Sequence, residues 1–285
     1  MKSFKNKNYY LFIPAVLFLT LPLYGFMNAI FHSLQTGGDW TFDYYAQLLQ
    51  SDRFITSLWF SIRTALIATV ISLIIGLSIT RHFHGYLEKN APRLLVWLPM
   101  LFPHFVWGYM VILLLSETGL AAQISVLTGV LPDTEAFPIL TRDPNGIGII
   151  ITYVWKEIPL VILMLFPIYA SIDPDYYDLV DTLGGNGWRR FSAVELPHLL
   201  PVLIETFLIV FSFTLSAYEV PALLGTTFPE MISVLGYEWF YGSSWDDRPL
   251  AFAAMVSVSI MLLISAGIGY LYLNKNRWKA MRGGR

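Results

Sequence analysis

Long apolar runs separated by short polar breaks dominate this chain. Six of them, over residues 9–31, 55–80, 92–115, 146–170, 198–221 and 250–273, are each long enough for the roughly 20 helical residues that cross a hydrocarbon core. The pattern predicts an all-α membrane protein of six transmembrane helices, with both termini on one side of the lipid bilayer. One stretch breaks the rule. Between the fourth and fifth runs, residues 173–201 are polar yet patterned as helix. Asp173 before Pro174 reads as a helix start, a capping side chain followed by a residue pre-set for the first turn. Tyr176, Leu179, Val180 and Leu183 recur on one helical face and leave Asp175, Asp178 and Asp181 off it. Gly184 and Gly185 can end that helix in a left-handed conformation. Asn186 can cap a second, short helix carrying Trp188, Arg189, Arg190 and Phe191. The expectation is an amphipathic helix pair.

Composition agrees with the pattern. Of the 285 residues, 55% are hydrophobic and only 13% charged, against about a quarter charged in soluble domains. The absence of cysteine excludes disulfides and thiolate chemistry. A formal net charge of -2 hides a sorted distribution. Lys2, Lys5 and Lys7, then Arg81, Lys89 and Arg93, then Arg189 and Arg190, then Lys275, Arg277, Lys279, Arg282 and Arg285 all fall on one side of the six runs. The other side holds only Arg53, Arg142 and Arg248. By the positive-inside rule both termini and the helix pair are cytoplasmic. The first run follows three lysines as a signal peptide would, but it is too long for an h-region and no small-residue cleavage site follows Phe31, so it reads as a retained span.

Several residues inside the runs are candidates for chemistry. Arg63 lies about two turns inside the second span and either pairs structurally or faces a pathway. Lys156 and Glu157 lie about 15 Å deep in the fourth span, near mid-bilayer; each either lines a pathway or pairs with another span. Glu205 lies in the cytoplasmic half of the fifth span and is a pathway candidate; Glu219 lies at its outer end and is a candidate solute contact or gate. Pro99 and Pro103 predict a kinked or broken third span. The outer loop over 116–145 is expected to hold a short helix across the bundle mouth, and the segment 222–248 to be partly re-entrant. Gly267 and Gly269 would allow close helix contact in the sixth span. Acids gather on the outer side, among them Asp39, Glu135, Asp143, Glu230 and Glu238, and form either a cation-favouring surface or a merely soluble rim. His82 and His84 have no third ligand at metal spacing, so no metal site is expected.

No G-x-x-x-x-G-K-[ST] occurs, nor any Gly-Lys pair, and the hydrolase, zincin and dinucleotide fingerprints are missing too. No intrinsic catalysis and no bound cofactor are expected, and nucleic acid is not an expected partner. ATP-driven work would need a separate subunit.

In this context the stretch Asp178-Leu179-Val180, three residues, Gly184, nine residues, Val194-Glu195-Leu196-Pro197 resembles the EAA loop of permease subunits of binding-protein-dependent, type I ABC importers. Trp155-Lys156 with Pro159 upstream, Ser171-Ile172-Asp173-Pro174 leading in and Pro201 after the motif are similar to the family as well. Here Asp178 stands for the family's glutamate, and Leu179 and Val180 for its two alanines, so the docking surface is bulkier and its carboxylate a methylene shorter. The resemblance covers about residues 57–273. It implies residues 1–54 as an added span and outer loop, 55–275 as the permease core with its coupling loop at 173–197, and 276–285 as a basic tail. It further implies that Asp178, Asp181, Gly184, Trp188, Arg189, Arg190, Leu196 and Pro197 meet an ATP-binding subunit. A second permease subunit, identical or homologous, and an extracytoplasmic solute-binding protein complete the expected partners. Ala217-Tyr218-Glu219-Val220-Pro221-Ala222-Leu223-Leu224-Gly225 looks like permeases for polyamines, ferric iron and thiamine. Two other readings stay open: an ion-coupled carrier with Lys156, Glu157 and Glu205 as a relay, and a scaffold whose helix pair recruits a soluble enzyme.

Overall fold

The computed structural model describes residues 12–36, 38–242 and 245–282, with side chains for all of these except 36 and 275–282. Lys2, Lys5, Lys7 and Arg285, on which part of the charge argument rests, lie outside the described residues. Among the described residues the fold is helical apart from one short antiparallel pair, β1 (Gln35–Thr36) with β2 (Asp39–Trp40). The helices are α1 (Ile13–Ser33), α2 (Asp43–Gln50), α3 (Asp52–Leu87), α4 (Asn90–Trp97), α5 (His104–Leu115), α6 (Leu120–Leu127), α7 (Ile147–Ser171), α8 (Asp175–Thr182), α9 (Gly187–Arg190), α10 (Leu196–Ser216), α11 (Glu219–Leu224), α12 (Ile232–Tyr241) and α13 (Arg248–Arg282). Among the described residues, six helical stretches are long and apolar enough to span a membrane: Ile13–Ser33, Asp52–Leu87, His104–Leu127, Ile147–Ser171, Gly187–Ser216 and Trp245–Asn274.

Three boundaries differ from the sequence expectation. Helix α3 has 36 residues, about 54 Å at helical rise, so the segment expected as a loop after residue 80 is largely two further helical turns. The third apolar stretch is shifted. Residues 90–101 form α4 and a 3-10 turn, Phe102 is extended because Pro103 follows it, and the membrane-length segment starts only at His104. The fifth stretch starts early: α9 runs through a π-helical turn over Phe191–Glu195 directly into α10. Pro197 is the local reason, because its ring clashes with the carbonyl four residues back and the Leu196 N–H reaches Phe191 O instead.

The contacts define two compact units. Among the described residues, one draws on residues 12–55 and 235–262. There His32 stacks on Phe252, Phe54 stacks on Trp239, Ser33 and Tyr45 share a 2.7 Å hydrogen bond, and Arg53 pairs with Glu238. The other, residues 56–234 and 263–282, holds the main core. One buried cluster of that core joins Phe60, Val111, Ile149, Tyr153, Val220, Leu224 and Met231. A second joins Val161, Leu165, Tyr169, Ile172, Val194 and Leu199. Backbones come close: a β-carbon on Gly76 would lie 2.5 Å from Val161, and one on Gly269 2.5 Å from Leu208. Gly267 has nothing within 4 Å, so only one of the two expected glycines makes a close contact.

Asp143 and Glu230 are buried, at 3% and 2% exposure, and so do not belong to an outer acidic surface. Asp143 caps α7: its carboxylate accepts from the N–H groups of Asn145 at 2.9 Å and Ile147 at 2.8 Å. The expected short outer helix is present as α6, and α11 packs Val220, Pro221 and Leu224 inward.

Candidate functional site

The polar stretch folds as its caps dictate. Asp173 Oδ1 accepts from the Asp175 N–H at 3.0 Å and starts α8. At the far end Gly184 adopts φ 74°, and two hydrogen bonds close the helix, Gly184 N–H to Asp181 O at 2.9 Å and Gly185 N–H to Val180 O at 2.8 Å. This is a Schellman stop. Gly185 is glycine for a different reason, since a β-carbon there would lie 2.3 Å from the Val180 side chain. Asn186 then accepts from the Arg189 N–H at 3.0 Å and starts α9.

The expected single apolar face is divided in two. Tyr177 and Val180 pack inward against the cluster around Tyr169 and Val194. Tyr176, Leu179 and Leu183 point away from it, at 50%, 57% and 72% exposure, and Trp188 joins them at 69%. Asp181 takes a two-pronged ion pair from Arg190, through Nε at 2.7 Å and through Nη2. That hydrogen bonding holds the Asp181 carboxyl below the usual aspartate range. Burial, reinforced by the Glu195 carboxylate, raises the Tyr177 phenol. Asp178 and Arg189 are exposed, as is Pro197, while Leu196 is half-buried at the start of α10.

Beneath this pair sits a cluster that sequence reasoning did not single out. Arg81, near the end of α3, donates from Nη2 to Gly187 O at 2.8 Å, lies 4.8 Å from the Phe191 ring centre and places Nε 2.9 Å from Glu195 Oε2. Positions 187, 191 and 195 fall on successive turns of one face, and a single guanidinium spans them. Glu195 is buried and accepts also from the Tyr169 hydroxyl of α7 at 2.9 Å. His84 stacks on Tyr169 at 5.6 Å.

The intramembrane candidates separate. Lys156 Nζ donates to Pro99 O at 2.9 Å and Phe102 O at 2.6 Å, the carbonyls left open where the third apolar stretch breaks. Glu157 Oε1 lies 3.1 Å from His104 Nε2, on the first residue of α5. Adjacent on α7, the two charges thus serve opposite sides of one break. Arg63 reaches Asn145 O at 2.9 Å and lies over the Phe60 ring. Glu205 is half-buried on α10, and Glu219 is exposed in the first turn of α11. An apolar groove of about 620 Å³ between α3, α10 and α13 is lined by none of these five residues. Among the described residues no group of His, Asp and Glu could hold a metal ion.

Residues 68–279 match the family described as the binding-protein-dependent transport system inner membrane component. The chain belongs to this family. The permease is therefore a multi-pass, non-catalytic component of an ABC importer, which works with an ATPase and a solute-binding protein. Among its relatives is the inner membrane ABC transporter permease protein YcjO of Escherichia coli K12, 28% identical over 236 residues, or 79% of this chain and 75% of that protein. The ferric transport system permease protein FbpB of Actinobacillus pleuropneumoniae is 29% identical over 212 residues, 73% of this chain and 28% of FbpB. In fold the permease is similar to a chain of a bacterial ABC transporter that imports the acidic polysaccharide alginate, with a TM-score of 0.71, 94% of each chain covered and 19% identity.

Glycines, caps and charges of the permease were visible in its sequence; Arg81, Glu195, Tyr169 and His104 acquire meaning only through partners far along the chain. Of these, Glu195 carried one usable signal, a carboxylate flanked by apolar residues inside the glycine-to-Pro197 motif.

Proposed function

We propose that the permease carries a small charged solute such as iron, a polyamine or thiamine, and that α8 with α9 docks in a groove of the ATP-binding subunit on the cytoplasmic side. The observation that supports the docking most directly is the exposed row of Tyr176, Leu179, Leu183 and Trp188, an apolar centre ringed by Asp178, Asp181, Arg189 and Arg190. A dry centre with a charged rim suits a detachable protein interface. Gly184 sets the angle between the two helices, and Leu196 with Pro197 forms the entry to the spans. The Arg-rich face at 189–190 and the basic tail favour the cytoplasm for this surface and for both termini. A second permease subunit would complete the pathway.

For the solute, the name of FbpB and the stretch 217–225 favour a cationic cargo, and Glu219, exposed on α11, is the contact we assign to it. Arg63, Lys156 and Glu157 we assign to holding the bundle, because each is engaged with backbone or side-chain groups of its neighbours. Glu205 stays a pathway candidate. Membership of the family replaces the ion-coupled carrier and the scaffold as readings. The test is uptake by vesicles carrying the complex isolated from its native membrane, with radiolabelled ferric iron, putrescine and thiamine each offered with and without internal ATP. ATP-dependent uptake of one of them supports the reading, and uptake that persists without ATP but collapses with an ion gradient contradicts it.

A further inference from the structure

We propose that Arg81 is a positioning residue that makes the coupling stretch and the cytoplasmic ends of α3 and α7 move as one body when the ATPase closes. The proposal rests on the docking role assigned above to α8 and α9. Three observations converge on it. First, the guanidinium touches three successive turns of the same helix face, at Gly187 O, the Phe191 ring and the Glu195 carboxylate. Those anchor points bracket the π-helical turn at Phe191–Glu195, where the hydrogen-bond ladder is irregular and the helix most easily bends. Arg81 splints that turn. Second, Glu195 is shared: its Oε2 meets both Arg81 Nε and the Tyr169 hydroxyl, so α3, α7 and the start of α10 join at one oxygen atom. Third, α3 grips α7 a second time, one turn further on, where the His84 ring stacks on Tyr169 at 15° between planes.

The chemistry explains why arginine stands there. Lysine would supply one point charge, whereas the guanidinium offers a planar fork that donates in two directions and presents a face to Phe191. Side-chain exposure of 29% for Arg81 and 8% for Glu195 puts the pair mostly out of water, where its geometry is held. Displacing α8 and α9 without breaking this cluster requires α3 and α7 to follow.

The chain has no cysteine, so two introduced thiols are the only ones this subunit offers to a label, which is attached before the complex is assembled. Spin labels at Phe83→Cys and Thr182→Cys, both exposed positions, report the distance between the end of α3 and α8 in the assembled native complex. In the otherwise wild-type permease that distance is expected to be the same with and without ATP trapped by vanadate. Adding Arg81→Gln, or Glu195→Gln, which keeps an acceptor for Tyr169, is expected to let the distance shift and broaden when ATP is trapped. Arg81→Lys should fall between. A wild-type distance that itself changes on ATP trapping overturns the proposal, as does an unchanged distance in both glutamine variants. A complex that hydrolyses no ATP in wild-type form overturns the docking role on which the proposal rests, and does so before any variant is compared.

Discussion

Gly184 holds φ 74°, a conformation that costs a residue with a β-carbon about 1–2 kcal/mol, and less for asparagine, whose short polar side chain visits it. Nothing lies within 4 Å of a β-carbon built there, so the cost is purely conformational. Gly184→Val should therefore leave the permease inserted and abundant but abolish ATP-driven uptake by vesicles, whereas Gly184→Asn should retain most of it. Equal uptake by the two variants would show that the left-handed turn is not what matters. Gly185 makes the complementary case. Alanine there collides with Val180, so even the smallest side chain should uncouple. Asp181 gives a test in pH. Its carboxyl is held below the aspartate range, so its pairing with Arg190 contributes above the unfolded value of about 3.9 and is lost only as pH falls through the lower folded value. Carboxyl carbon chemical shifts of labelled aspartate should show a resonance titrating below the usual aspartate range that is absent in Asp181→Asn; a spectrum in which Asp181→Asn removes no such resonance would remove the pair from the account.

At the scale of elements, the break between α4 and α5 and the Lys156-Glu157 step on α7 belong together. Helical carbonyls at the end of one segment carry partial negative charge and the start of the next carries partial positive charge, so an ammonium at the first and a carboxylate at the second complement both. Lys156→Met removes the donor to the Phe102 carbonyl, whereas Pro99 O keeps the Trp107 indole N–H at 3.0 Å. A hydrogen bond from a charged donor contributes about 1.5–3 kcal/mol. Thermal unfolding of the detergent-solubilised complex should occur at lower temperature in Lys156→Met. The double exchange Lys156→Glu with Glu157→Lys should be worse than either neutral substitution, because it reverses both charges against the segment ends. A double exchange as stable as wild type would contradict the pairing. The prolines that break this stretch were readable in the sequence, and so were the caps of α8 and α9, because each rests on residues within five positions of one another. Lys156 and Arg81 were not: their partners lie 57 and 106 positions away, and a lone intramembrane lysine looks the same whether it lines a path or closes a backbone. The division of the α8 face into an inner and an outer half was hidden for the same reason, since periodicity marks apolar positions without saying which of them a neighbouring helix covers.

For the whole molecule, the six membrane-length stretches were legible because apolar length is a local property, and the third and fifth moved only where Pro103 and Pro197 redirect hydrogen bonding. The importer family follows from residues 68–279, and the fold is shared with an alginate importer chain. The force path we propose runs from an ATPase to the exposed row on α8 and α9, through Arg81 and Glu195, into α3, α7 and α10. The most direct measurement is photo-crosslinking from a single thiol in the cysteine-free permease, within the complex in its native membrane. A benzophenone carried by Leu179→Cys should yield an adduct with the ATP-binding subunit, and the same probe on Val130→Cys, exposed after α6, should yield none. No adduct from position 179, or an equal one from position 130, would contradict the account.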